Sequence, residues 1–220
     1  MRPSPRLPIR GLSLVELLSV MAVLVIVMGF IVPAVTGMAR ATALVSGGNM
    51  VTNLASLARQ TAVSKNTMSA LVLLGNQGTP EDYRAWTVLE YAAGGGGWLP
   101  VTGWQKMPDG IVVDFADATN CTFCEAQPTP FPFLTGPPAR QNPPVDYFGK
   151  QVGPTAYAVR IYLPNGGLQN PEKPAQIRVI EGYAQGGQIV RTHPGTAGLA
   201  ANYYDVAIIG ASGVTKVSRP

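Results

Sequence analysis

Few residues here have types and spacing suited to chemistry. Cys121 and Cys124 are the only thiols, and their C-x-x-C spacing suits a redox pair, half a zinc site or a short local disulfide. No second C-x-x-C accompanies them, and the only histidine, His193, lies about 70 positions further on. Zinc and redox catalysis therefore fit poorly. A loop disulfide in an oxidising compartment, or two unpaired thiols, fits better. Glu81-Asp82 and Asp114 with Asp117 read as solvated acids on turns, so no metal is assigned. Gly94 to Gly97 lacks the strand-loop-helix context of a phosphate-binding loop. With one histidine, no His-Glu-x-x-His and no Gly-x-Ser-x-Gly, the chain carries no catalytic set; it is not expected to be an enzyme, and no cofactor is implied.

One acid stands in an unusual place. Glu16 heads the apolar run Leu17 to Val35, about 19 uncharged residues, enough to cross roughly 30 Å of hydrocarbon as a helix. An ionised side chain inside hydrocarbon costs roughly 2.5–3.5 kcal/mol on insertion scales. Glu16 must either sit at headgroup level or meet a positive partner, and position alone leaves both open. A secretory signal cleaved near Ala34 would leave this acid unexplained. Arg2, Arg6 and Arg10 precede the run and Arg40 is the first basic residue after it, a bias that keeps the start cytoplasmic and exports the rest.

The same segment accounts for a composition of 46% hydrophobic and 13% charged residues. Three of the 16 basic residues lie in the leading ten positions; without them 13 basic residues face 12 acidic ones. The formal charge of +4 is thus no argument for an acidic partner.

Gly29 and Pro33 fall in the second half of the run, where proline removes a helix hydrogen bond and predicts a kink. Beyond Arg40 the helix is expected to continue, because Met50, Leu54, Leu57 and Thr61 keep a three-to-four spacing with Val51, Ala58 and Ala62 beside them. Gly47 and Gly48 predict a bend or short break there. After Asn66 come strand-like runs at Ser69 to Leu74, Arg84 to Tyr91, Ile111 to Phe115, Ala156 to Leu163, Gln176 to Tyr183 and Tyr203 to Ile209. The alternation of Tyr157, Val159, Ile161 and Leu163 with Ala158, Arg160 and Tyr162 predicts a sheet with one buried face. The Pro-rich stretch from Asp117 to Gln151 reads as a long surface loop, with Phe131, Phe133, Tyr147 and Phe148 as apolar contact points.

Gly11-Leu12-Ser13-Leu14-Val15-Glu16-Leu17-Leu18 resembles the signature of type IV pilins and type II secretion pseudopilins: leader charge, glycine, hydrophobe, acid and unbroken apolar helix in that order. The resemblance implies that a prepilin peptidase cuts between Gly11 and Leu12 and methylates the new amino terminus at Leu12. It also implies that Glu16, the fifth mature residue, meets the positive amino terminus of a neighbouring subunit. Two unit charges about 4 Å apart attract by about 4 kcal/mol at an effective dielectric near 20, which offsets the insertion cost. Leu54 to Asn66, with its leucine, alanine-arginine, alanine and asparagine rhythm, is similar to the helix end of the minor pseudopilin H and pilus-assembly minor pilin T families. The Pro164-Asn165-Gly166 turn, and Leu99 and Trp104 ahead of Met107 to Ile111, resemble the same families.

The expected fold is α+β and pilin-like: a leader over 1–11, a transmembrane assembly helix over 12–38, an amphipathic helix over 39–66 and an exported antiparallel β domain over 67–220 with a Pro-rich insertion at about 117–151. The implied partners are the prepilin peptidase, other pilin or pseudopilin subunits and a bacterial inner membrane crossed once, with the amino terminus cytoplasmic and the β domain periplasmic. Two other readings stay open. One is a pilus-tip protein that captures DNA or a secreted protein, for which Lys216 and Arg219 supply a thin phosphate track. The other is a membrane-tethered exported domain of different function.

Overall fold

The computed structural model describes residues 13–75, 79–92, 97–124, 146–147, 150–151, 157–172, 175–195 and 199–219. The elements are α1 (Leu14–Lys65), β1 (Ser69–Leu74), β2 (Ala85–Tyr91), β3 (Trp98–Pro100), β4 (Gln105–Lys106), β5 (Ile111–Val113), a 3-10 turn η1 (Thr122–Cys124), β6 (Asp146–Tyr147), β7 (Lys150–Gln151), β8 (Tyr157–Tyr162), β9 (Ala175–Gln185), β10 (Gln188–Arg191), β11 (Tyr203–Ile208) and β12 (Thr215–Ser218). Two compact units divide the chain between Ala41 and Thr42.

In the second unit all strand pairs are antiparallel. One sheet runs β3-β2-β1-β8 with β4 also on β2, another runs β10-β9-β11-β12 with β5 also on β9, and β6 and β7 form a separate ladder. The six strand-like runs of the sequence all appear, with ends shifted by a residue or two. The short β3, β4, β10 and β12 were not expected; β4 and β12 are mostly exposed and carry no apolar run to mark them.

Both large sheets pack on one face of α1. Leu44, Val51, Leu54, Ala55, Ala58 and Ala62 meet Leu71, Leu73, Trp86 and Val88 of the first sheet and Ile111, Ile177, Val179, Tyr204 and Val206 of the second. Met50 and Leu57, two of the four residues of the expected stripe, are only half-buried, so the contact face is turned toward the small residues.

Three expectations need correction. The break predicted at Gly47 and Gly48 does not occur; α1 passes through both. A Cβ built on Gly48 would overlap the Tyr204 ring, and one on Gly47 would stand 2.9 Å from Ile111 Cγ2. These glycines serve close approach of the sheet, and their propensity cost of around 1 kcal/mol each is offset by packing. Second, the face of β8 expected to meet solvent is covered at its described positions, with Ala158 and Arg160 half-buried and Tyr162 buried. Tyr162 joins the α1 core, while Val159 and Ile161 pack with Ala70, Val72, Leu89 and Trp98 in a second cluster. Third, the stretch from Asp117 onward begins inside the core: Asp117, Cys121 and Phe123 are buried, and the Phe123 ring lies 5.3 Å from that of Trp86. Phe131, Phe133 and Phe148 lie outside the described residues, as does the Tyr147 side chain.

Gly48→Ala separates the two views of the glycine pair. On an isolated helix the change gains about 1 kcal/mol, whereas against Tyr204 it should cost about 1–3 kcal/mol through overpacking. Urea unfolding followed by tryptophan fluorescence gives the sign.

Candidate functional site

At the start of α1 four short-range hydrogen bonds define a built helix cap. The Val15 N–H donates to Ser13 Oγ at 3.3 Å, the Ser13 N–H donates to Glu16 Oε2 at 3.3 Å, and the Leu17 N–H donates to the Ser13 carbonyl at 3.0 Å. Glu16 supplies the return arm of a capping box, while the Ser13 hydroxyl caps the second helical N–H in place of the third. The Ser19 hydroxyl adds a bond to the Glu16 carbonyl at 2.8 Å. The spacing Ser13-x-x-Glu16 before an apolar run was the signal for it. Glu16 is thus held in the first turn, where the helix dipole favours a negative charge. Gly11 and Leu12 lie outside the described residues.

Every large hydrophobic residue from Leu14 to Met28 is exposed, from 44% at Val27 to 78% at Leu14. The segment is apolar all round rather than along one stripe. Among the described residues no helix is long and apolar enough to cross a membrane. The described side chains run from Leu14 to Gly29, roughly 24 Å of helix, against roughly 30 Å of hydrocarbon. Helix is assigned through Gly29 and Pro33, with nothing within 4 Å of a Cβ built on Gly29; the Pro33 side chain lies outside the described residues.

In the second unit, α1 is tied to the turn between β11 and β12 by Arg59, whose Nε donates to the Ser212 carbonyl at 2.8 Å. That turn interlocks with the loop after β8: the Leu168 N–H donates to the Gly210 carbonyl at 2.7 Å, and Cβ atoms on Gly210 or Gly213 would overlap the Pro171 and Gly166 carbonyls. The alanine-arginine pair at 58 and 59 therefore splits its work, Ala58 packing in the core and Arg59 reaching the turn. Beside it, burial pushes the pKa of the Tyr162 hydroxyl up, with Arg59 opposing the shift. An open groove of about 560 Å³ runs along Thr42, Ser46, Asn49, Met50, Asn53 and Leu57, with Gln105 also lining it.

Of the acids expected on solvated turns, Asp82, Asp114 and Asp117 are instead buried, while Glu81 stays partly exposed and accepts a bond from Lys106 at 3.0 Å. Asp114 takes two bonds from Arg191 at 2.7 and 2.8 Å. Arg178 donates to both oxygens of Asp205 at 2.7 and 2.8 Å and to Asp117 at 3.0 Å, and its guanidinium lies 4.0 Å from the centre of the Tyr203 ring. The hydrogen bonds that Arg178 and Arg191 donate to Asp205 and Asp114 respectively raise the pKa of each guanidinium. Among the described residues no cluster of three or more His, Cys, Asp or Glu is placed to hold a metal ion. Cys121 is buried, and the choice between a disulfide and two unpaired thiols turns on the Cys124 side chain, outside the described residues. Arg219 lies over the Tyr204 ring at 4.6 Å, and both it and Lys216 are exposed.

No family model and no curated protein matches the chain. Among solved structures it is similar to the minor pseudopilin EpsH from the type II secretion system of Vibrio cholerae, in one structure at 15% identity and a TM-score of 0.41 over 83% of this chain and 96% of that one, and in a second at 11% and 0.40 over 79% and 94%. It is also similar to the type IV minor pilin FimU of Pseudomonas aeruginosa, at 11% identity and 0.38 over 80% and 92%. TM-scores below 0.5 leave the family undecided.

The Tyr162 hydroxyl has no hydrogen-bond partner among the described residues. Tyr162→Phe should therefore leave neutral-pH stability unchanged or slightly raised. Because the folded-state pKa is raised, wild type should lose stability as pH climbs past about 10, where the unfolded tyrosine ionises first. Denaturant midpoints across that range should fall less steeply for the phenylalanine variant.

Proposed function

We propose that the chain is a minor pseudopilin or pilin subunit: a membrane-inserted precursor, cut by prepilin peptidase between Gly11 and Leu12, methylated at Leu12, and assembled through α1 into a filament of a secretion or pilus machine. The observation that carries this reading is the start of α1. A helix apolar on all sides and exposed from Leu14 to Met28 is suited to lipid or to neighbouring helices, and it opens on one fixed carboxylate, Glu16. The leader arginines, the glycine at 11 and the acid at 16 supply the processing signature in order. In this reading Leu17 to Val35 spans the inner membrane, the β domain faces the periplasm, and Glu16 pairs with the amino terminus of the next subunit. The partners are the peptidase and other pilin-like subunits.

The capping box gives Glu16 a second role, within its own helix, and one variant separates the two. A capping box accepts Gln as well as Glu, so Glu16→Gln keeps the cap and removes the charge. The variant should insert in the membrane like wild type yet lose tenfold or more of its cross-linking to neighbouring subunits, since 1.4 kcal/mol is already a factor of about ten. Normal cross-linking would overturn the assembly role of Glu16. Intact mass and amino-terminal sequencing of the membrane-extracted protein test processing independently. The expected product begins at methylated Leu12; an uncut Met1 or a cut beyond Ala34 would return the chain to the class of anchored or secreted domains.

A further inference from the structure

We infer that Asn165 is a site of spontaneous covalent modification, and that its conversion to an isoaspartyl linkage loosens the tie between α1 and the β11–β12 turn. Asn165 is the only asparagine in the chain followed by glycine, and it is exposed on the loop after β8. Its Oδ1 accepts the Gly167 N–H at 3.0 Å, an Asx turn that polarises the side-chain carbonyl. Arg59 stands next to this site. A Cβ built on Gly166 would lie 3.3 Å from both Arg59 Nε and Nη2, so the neighbourhood of the Gly166 nitrogen is cationic and favours the negative charge that forms during attack. One contact opposes the reaction: the Gly166 N–H donates to the Leu163 carbonyl at 2.8 Å and must be released first.

The chemistry balances with water as the only co-reactant. Solvent base takes the Gly166 amide proton, the nitrogen lone pair forms a bond to Asn165 Cγ, and the Cγ–Nδ2 bond breaks as ammonia leaves with a proton. Water then opens the cyclic imide at either carbonyl, giving aspartate or isoaspartate. Nothing is oxidised or reduced. Aspartate keeps an acceptor for the Gly167 N–H. Isoaspartate adds a methylene to the main chain where there is no room for it: the Gly166 carbonyl is seated against Gly213, at a point where even a Cβ would overlap it, and a Cβ on Gly166 itself would stand 3.1 Å from Val63 Cγ2. The turn must shift, and the Arg59 bond to Ser212 shifts with it.

The test is to age the full-length membrane-extracted protein in mildly alkaline buffer, follow it by peptide mapping, and measure its thermal midpoint alongside identically aged Asn165→Gln and Asn165→Ser. Serine can still accept the Gly167 N–H but has no amide carbon to attack, so it serves where glutamine disturbs the turn. Expected is a mass gain of about one dalton at Asn165 before any other asparagine, an isoaspartyl fraction in that peptide, and a downward shift of the midpoint in wild type alone. An unmodified Asn165 while other asparagines convert would overturn the site. Equal loss of stability in wild type and both variants would overturn its link to the Arg59 tie.

Discussion

The close approach of two sheets to one small-residue face of α1 is the constraint on which the β domain depends. Gly47, Gly48, Ala55, Ala58 and Ala62 leave the helix surface low, and the bulk that fills the space comes from the sheets, with Trp86, Tyr204 and the isoleucines 111, 177 and 208, and from Phe123 of η1. Small on the helix and large on the strands is one way to reach interior packing density without forcing side chains off their rotamers. Polar bonds set the register of that contact. Ser69 donates to the Ala58 carbonyl, and the Tyr204 hydroxyl donates to Asn49 Oδ1 at 2.8 Å, so a turn of slippage would break a hydrogen bond on each sheet.

The other face of the β9–β11 pair is organised by charge. Arg178 and Asp205 sit directly opposite each other in that ladder, and the pair draws in Asp117 from the segment before η1. Arg191, at the end of β10, reaches back to Asp114. Buried ion pairs of this kind contribute little net stability, because desolvation offsets most of the attraction. Their bidentate geometry does fix which connector lies over which strand. Apolar contacts alone would permit several such arrangements.

Much of this was legible in the sequence where the signal is periodic. The long runs that became β1, β2, β8, β9 and β11 declared themselves through β-branched and aromatic residues, and the helix through its spacing. What was missed depends on tertiary context. Gly47 and Gly48 carry a helix-breaking propensity that is overridden only because Ile111 and Tyr204 need their space, and no local pattern reveals that. Asp114 and Asp117 look like turn acids until Arg178 and Arg191, more than 60 and 70 positions away, are brought beside them. The Ser13-Glu16 cap was visible as a spacing, yet the apolar run after it drew the reading of Glu16 toward an intersubunit role and left the local one unread.

The observed cap and the proposed intersubunit pairing of Glu16 differ in what they satisfy. The cap gives the carboxylate a backbone N–H and a favourable dipole, and it does so at the exposed end of the helix. It supplies no counter-charge. From Leu14 to Met28 a dozen large apolar side chains are exposed, and at roughly 1.5 kcal/mol or more each their full burial would release on the order of 20 kcal/mol. That exceeds the net stability of a typical domain, about 5–15 kcal/mol. A segment with so much to gain from an apolar surrounding pulls its own first turn toward low dielectric. There an unpaired carboxylate becomes costly and a cation nearby becomes worth more than any hydrogen bond. In the proposed assembly, the same apolar run that favours lipid or neighbouring helices thus also sets the charge of the group that Glu16 would meet among them.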